Sequence, residues 1–430
     1  MAGKSNKRTL TEGDEQFDDV ESDISECKGS QEDSEHDTRS EQSEDEEGSG
    51  GLKRPSVRTT AHNLARKFPG TIGEAKKLDK NSNEENEILQ CTNKKIQSVQ
   101  SRWSEDMRYL VREMDIVELK ATLGLCYLSG EFKSGHETAT SLFASDGTVT
   151  DVFRAIMCLK RCLLSVMTFD NALGREIRRE NDPLAAILAS FTVGSYVYID
   201  EMLVGFRGNC KFRMYMAIMT LADAQTNYFY NSYMYAGQDS DGLKLDEETK
   251  QFSKPTQAVL RLSAPLFGSN RNITANNWFT SVEVVQILKN SKGLTYVGTL
   301  GKNKREIPSQ FQASRTRTEG SSLYGYTKDS TLLSHAPKRN KCVMLISSMH
   351  HNAETNEDSG KPDIIEFYNS TKGGFDSLDQ KCACYSIGRR TRRWPMAIFY
   401  AMLDIAGVNS FIIHTYMHPQ NCEKKSSFFF

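Results

Sequence analysis

From residue 85 to 187, apolar positions recur at i, i+3, i+4 and i+7. "IVELKATLGLCYLSG" and "VTDVFRAIMCLKRCLLSVM" both carry such a stripe, which predicts helices. Asp151, close after Thr148 and Thr150, is a candidate cap residue. Near residue 195 the period changes. "SYVYIDEMLVGF" (195–206) alternates and is rich in Val, Ile and Tyr, so it predicts a strand. "AIMTLADAQ" and "TNYFYNSYMYAG" predict two more, joined by a short turn, and "NITAN" the end of a fourth. "WFTSVEVVQILKN" (278–290) returns to the helical period, and "GLTYVGTL" (293–300) reads as a buried strand. Strands interleaved with helices argue for a mixed α/β domain. Residues 302–365 are polar, with short strand signals in "SSLYGYT", "STLLSHA" and "KCVMLISSM", and read as a β-rich insert. "DIIEFYNSTKGG" predicts a strand and a glycine turn; "FDSLDQKCACYSIG" and "RWPMAIFYAMLDIAGVNSFIIHTYMH" predict helices. The last is long and apolar, but Arg393, Asp404 and Gly407 mark it as a packed helix rather than a membrane span.

Composition adds an asymmetry. Residues 1–50 hold 17 Asp/Glu and 5 Lys/Arg, a net of -12; against -2 for the whole chain, residues 51–430 carry +10. The acidic head has too little apolar surface to order itself, so residues 1–60 read as a disordered tail that could bind proteins. The basic body is compatible with nucleic acid as a partner. Lys53, Arg54, Arg58, Arg66 and Lys67 form a basic stretch of the nuclear-import type. There is no uninterrupted run of about 18 apolar residues and no apolar segment near the N-terminus, so neither a membrane span nor a secretory signal is expected. The ten cysteines are scattered. Cys382 and Cys384 lack the second pair a zinc site needs, and Cys158 and Cys162, one turn apart, read as core packing. A reducing, intracellular compartment fits this usage.

Candidate chemistry comes from acids and bases in unusual places. Asp200 lies inside an apolar strand, on the face shared by Tyr198 and Met202, where an acid is costly unless it is paired or binds a cation. The plainer alternative is a solvated Asp on an edge strand. Asp376 and Asp379 share one face of a predicted helix start, and "DSLD" also resembles a capping box. Arg389, Arg390, Arg392 and Arg393, and Lys302, Lys304 and Arg305, form two basic clusters that could grip phosphates or stand in solvent.

Five blocks, "YIDEMLVGFRGNCKFRMY", "RNITANNWFTS", "LTYVGTLGKNKREIP", "YNSTKGGFDSLDQ" and "RRTRRWPMAIFYAMLDIAGVNSFIIHTY", resemble the piggyBac-type transposases, in the family's order and over about residues 85–417. The resemblance implies an α/β fold with an RNase H-like catalytic core, a β-rich insertion domain, and a split helical domain for dimerisation and DNA binding. Mapped onto this chain, the helical domain occupies 85–194 and 389–430, the core 195–301 and 366–388, and the insertion 302–365. The chemistry implied is cut-and-paste transposition on double-stranded DNA by a nuclear homodimer. Strands are nicked at the transposon ends, hairpins form, and the ends join TTAA targets. Three aspartates would hold two Mg²⁺ or Mn²⁺ ions that clamp the attacking and leaving oxygens.

By the same resemblance Asp200 matches the first catalytic aspartate, Asp376 the third, and Asp379 a further one beside it. The second metal-binding position is Asn276. An amide brings no negative charge and cannot bridge two ions, so catalysis is expected to be impaired. The basic loop expected after "FRMY" is shortened, as is the stretch between "DPLAAI" and "FTVGSYVYIDE". A Cys-rich zinc-binding tail does not follow "CEKKSSFFF", so no zinc is expected. Three readings stay open: a DNA-binding protein with impaired or lost transposition, a working transposase, and a non-enzymatic nuclear scaffold.

Overall fold

The computed structural model describes residues 73–75, 84–101, 105, 108–135, 137–147, 151–168, 191–206, 216–235, 247–302, 304–389, 391 and 393–419. The acidic head, the basic stretch at 53–67 and both shortened loops lie outside these residues. In chain order, β1 (Glu74–Ala75) precedes five helices: α1 (Glu84–Gln100), α2 (Ile116–Glu131), α3 (Ala139–Leu142), α4 (Val152–Ile156) and α5 (Leu159–Thr168). Asp115 caps α2 by accepting from the Glu118 amide. Asp151 stands at the start of α4 but makes no such cap bond. Instead it pairs with Arg154. Arg161 of α5 forks onto Glu118 of α2 and donates to the Leu110 and Arg112 carbonyls.

Then follow β2 (Phe191–Thr192), β3 (Tyr196–Val204), β4 (Met216–Asp223), β5 (Phe229–Tyr235), α6 (Glu247–Lys250), α7 (Lys254–Ser263), β6 (Asn272–Ala275), α8 (Val282–Ser291) and β7 (Thr295–Thr299). Trp278 to Ser281 form the turn before α8, because the Ser281 hydroxyl accepts from the Val284 amide and caps the helix there. The predicted β-rich segment supplies β8 (Ser322–Tyr326), β9 (Thr331–His335) and β10 (Val343–Ser347). These do not form a sheet of their own. One eight-stranded sheet runs β5-β4-β3-β6-β7-β10-β9-β8, with β3, β6 and β7 parallel and the other pairs antiparallel.

The last two helices are α9 (Asp363–Cys384) and α10 (Trp394–Met417). Here the structure corrects the sequence reading twice. "DIIEFYNSTKGG" is neither strand nor turn; it is the first half of α9. Ile364, Phe367, Tyr368, Thr371, Phe375, Leu378 and Cys382 form its buried stripe, and that packing outweighs the two glycines. Asp376 therefore sits in the helix interior and cannot be an N-cap. Gly374 serves approach rather than turning: a Cβ there would lie 3.0 Å from the Tyr198 ring, 2.9 Å from Asn227 Oδ1 and 3.1 Å from the Ala224 carbonyl.

The sheet is covered on both faces. Val197, Ile199, Ile273 and Tyr296 pack with Val259 and Leu262 of α7 and Val284 and Leu288 of α8. Tyr198, Met202 and Ile218 pack with Phe375 and Leu378 of α9 and Ile405 of α10. A third core joins Ile96, Leu119 and Leu164 to Met396, Phe399 and Tyr400, so the early helices and the start of α10 share one apolar body. Cys162 packs against this helical region, whereas Cys158 is exposed. Met396–Met417 has a mean hydropathy of 1.7, long and apolar enough to cross a membrane by composition. In this fold α10 instead packs on β3 and β5, with Asn409 bonded to the Phe229 amide and carbonyl, both at 2.9 Å. Asp404 accepts from Ser386 and the Ile387 amide. Replacing Gly374 with Ala is expected to destabilise the fold by about 1–3 kcal/mol, because the added methyl meets a ring and a carbonyl that cannot both yield. A urea melt measures that loss.

Candidate active site

The site forms where the parallel strands end. In β3 the side chains alternate, so Tyr198, Asp200 and Met202 face α9 while Val197 and Ile199 face α7 and α8. Strand β6 runs parallel to β3 with Ala275 beside Ile199, and Asn276 is the next residue. Its amide nitrogen donates to Asp200 Oδ1 at 2.8 Å. Its Oδ1 accepts from the Trp278 backbone N–H at 2.9 Å, and its carbonyl accepts from the Thr280 hydroxyl at 2.7 Å. The first two bonds fix which end of the amide faces where. Reversed, the amide would set oxygen against carboxylate and N–H against N–H.

Asp200 also accepts from the Glu201 amide at 3.0 Å. Its pKa is pushed up to about 7, chiefly by burial and then by the Glu201 charge. The Glu201 amide and the Lys372 ammonium oppose that rise, and Asp376 adds to it. Glu201 is likewise raised by burial and eased by Lys372.

Helix α9 brings the remaining groups over the sheet. Thr371 shares a 2.9 Å hydroxyl contact with Thr274 of β6, which pins the helix beside Asn276. Lys372 and Asp376 follow, one turn apart. Asp376 is exposed at the rim, and Asp379, also exposed, lies almost a turn further on. Partial shielding from water, then the Asp376 charge, raises the Asp379 pKa. Tyr368, pushed up to about 12 by burial, hydrogen-bonds Thr299 and feels the charges of both Asp200 and Asp376. The structure therefore brings Asp200, Asn276 and Asp376 to one end of the sheet, with Lys372 and Tyr368 among them, while Glu201, next along β3 and turned to the other face, acts there through its charge. Sequence reasoning missed Lys372 and Tyr368, and strand alternation set Glu201 on the face opposite Asp200. Lys372 was legible only as a residue one turn before Asp376 on the same helix, and the strand reading of that segment hid the spacing.

The donor set does not fit a pair of hard divalent ions. Such ions need oxygen ligands turned inward. Asn276 instead presents a hydrogen-bond donor to Asp200 and spends its one side-chain oxygen on a backbone amide. Among the described residues no three His, Cys, Asp or Glu side chains gather around a common point.

The two basic clusters fare differently. Lys302, Lys304 and Arg305 follow β7 in the loop leaving the same end of the sheet, with Lys302 and Arg305 exposed. Arg389 and Arg393 do not stand together on a solvated face. Both line a cavity in the helical body, and Arg389 Nη1 donates to the Glu137 carbonyl at 3.0 Å. Their long stems follow the apolar surface between the helices. Arg390 and Arg392 lie outside the described residues. Trp278, two residues after Asn276, is 40% exposed.

Two comparisons bear on this geometry. A family profile described as Transposase IS4 matches residues 85–411. A solved structure described as the piggyBac transposase synaptic complex with hairpin DNA, determined by cryo-EM, is similar with 34% identity and a TM-score of 0.70. The match covers 81% of this chain and 75% of that one.

The raised Asp200 carboxyl has a consequence for stability. Its ionised form is disfavoured in the folded state, so its contribution is most favourable below about pH 4 and is lost as pH rises through about 7. Asp200→Asn is expected to stabilise the metal-free protein at pH 8 by on the order of 2 kcal/mol, the full shift being discounted for residual solvent, and to be neutral near pH 4. Urea melts of both proteins at the two pH values measure the difference.

Proposed function

The chain belongs to the piggyBac-type transposase family, and from that premise we propose that it is a DNA-binding protein of this family whose cut-and-paste cleavage is impaired. The observation that carries the proposal is the hydrogen bond from Asn276 to Asp200. A carboxylate at 276 would set two anionic oxygens near 2.8 Å apart. At an effective dielectric of 20 that repulsion is about 6 kcal/mol, so such a pair requires a cation or a proton between its members. The amide supplies a proton donor in that place, and the repulsion is avoided without metal. The demand that would recruit a divalent ion has been removed along with the charge that would hold it. Mg²⁺ or Mn²⁺ chemistry is then a property the family has and this site has largely given up.

Several features support the DNA-binding half of the reading. The similar transposase is described in a complex with hairpin DNA. In this chain the body carries +10 against a -12 head, and Lys302, Lys304 and Arg305 leave the sheet beside the candidate site. Double-stranded DNA is the proposed partner, with a homodimer as the assembly and the nucleus as the place of action. In this reading Asp200, Asp376 and Asp379 are remnants of the catalytic set, and the acidic residues 1–60 engage partner proteins.

Duplexes bearing matched transposon ends, incubated in Mg²⁺, test the cleavage half. Asn276→Asp is expected to nick them at least a thousandfold faster than the parent chain, the equivalent of about 4 kcal/mol of transition-state stabilisation. Cutting by the parent at the variant's rate would defeat the proposal. The binding half is read from a salt titration. Replacing Lys302, Lys304 and Arg305 with Ala is expected to flatten the slope of log affinity against log salt by about 0.9 for each phosphate that is no longer neutralised. An unchanged slope would remove that loop from the interface.

A further inference from the structure

Helix α10 ends in "HTYMH", residues 414–418. Its two histidines are four apart, so they share one face of the helix. The last turn that carries them is held firmly. Ile412 packs with Phe191 and Tyr228, and the Tyr416 ring meets Phe191 edge-on at 6.4 Å. Along the axis the His418 backbone N–H donates to the His414 carbonyl at 2.9 Å. Pro419 follows; it cannot continue the helix, and it keeps His418 out of the helical region, at φ -131° and ψ 60°.

Both imidazoles are exposed, and their ring centroids lie 4.9 Å apart with the planes inclined at 49°. That separation suits a shared ion. An imidazole nitrogen about 2.1 Å from zinc puts its ring centroid about 3.2 Å from the ion, so two rings bound at angles between square and tetrahedral stand about 4.5–5.2 Å apart. Exposed side chains change rotamer within nanoseconds, so each ring can turn a nitrogen to the ion without disturbing the fold. Two histidines at this helical spacing are also the zinc ligands of the H-E-x-x-H sites. Here Thr415 stands where those sites carry their glutamate, so the pair has the ligands without the general base. We propose that His414 and His418 form a bidentate site for a late first-row divalent ion such as Zn²⁺, one that holds the ion and performs no chemistry on it. Nitrogen donors select such ions over Mg²⁺ and Ca²⁺, which take oxygen ligands. Water keeps the remaining coordination positions. The shared ion closes the last turn of α10 a second time, beside the backbone bond. None of the candidate active-site residues takes part, so the site stands or falls apart from the reading of the catalytic centre.

The test uses the full chain labelled with ¹⁵N-histidine and titrated with Zn²⁺, followed by the ring resonances that the single variants assign. The His414 and His418 rings are expected to shift together and to saturate at the same ion concentration, whereas Mg²⁺ is expected to shift neither. His414→Gln and His418→Gln are each expected to weaken zinc binding by the remaining ring at least tenfold, because the second ring binds as an intramolecular partner of the first. A relocated pair supplies the control. His414→Gln combined with Met417→His keeps two imidazoles but makes them neighbours in sequence, which do not face each other on a helix, and is expected to bind no better than His414→Gln alone. No zinc-dependent shift in the parent, a shift of one ring only, a single variant that binds as tightly as the parent, or a relocated pair that does so would overturn the proposal.

Discussion

Everything at the candidate site depends on how closely α9 lies on the sheet. Gly374 permits that approach, since any side chain there would press on the Tyr198 ring and the Ala224 carbonyl. One turn earlier, the paired hydroxyls of Thr371 and Thr274 hold the helix in register with β6. Between these two points the helix has no freedom to slide, and Lys372, Tyr368 and Asp376 are delivered to the ends of β3, β6 and β7 as a consequence. Apolar packing of Phe375 and Leu378 against Tyr198 and Ile218 supplies the driving force. Small residues supply the geometry.

Within that frame, exchanging a carboxylate for an amide at 276 leaves the backbone undisturbed and changes the electrostatics completely. The Oδ1 of either residue can accept the Trp278 N–H, so the turn into α8 forms with both. Only the second side-chain atom differs, and it points at Asp200. A fold comparison alone could not distinguish the two cases. The hydrogen-bond direction does, because a donor in that position satisfies the neighbouring carboxylate where a second carboxylate would repel it.

Much of the architecture was readable in the amino-acid order. The alternation of "YVYIDEMLV" gave a strand with Asp200 beside Tyr198 and Met202, and the mixed α/β class followed from the elements around it. Reading failed at α9, where two adjacent glycines and a run of β-branched residues outweighed, locally, a helical stripe that runs from Ile364 to Cys382. Tertiary burial decided that segment, and no window of a few residues contains it. The same limit explains Arg389 and Arg393: a charge run says nothing of which stems will lie along apolar helices. The partnership of strands β8 to β10 with β7 was hidden for a related reason, since pairing across nearly fifty residues leaves no local trace.

The grip of Asn409 on Phe229 has an effect beyond anchoring α10. Both backbone groups it engages face away from β4, on the outer margin of the sheet, and the side-chain amide answers them as a neighbouring peptide unit would. That margin is thereby closed to strand recruitment at Phe229.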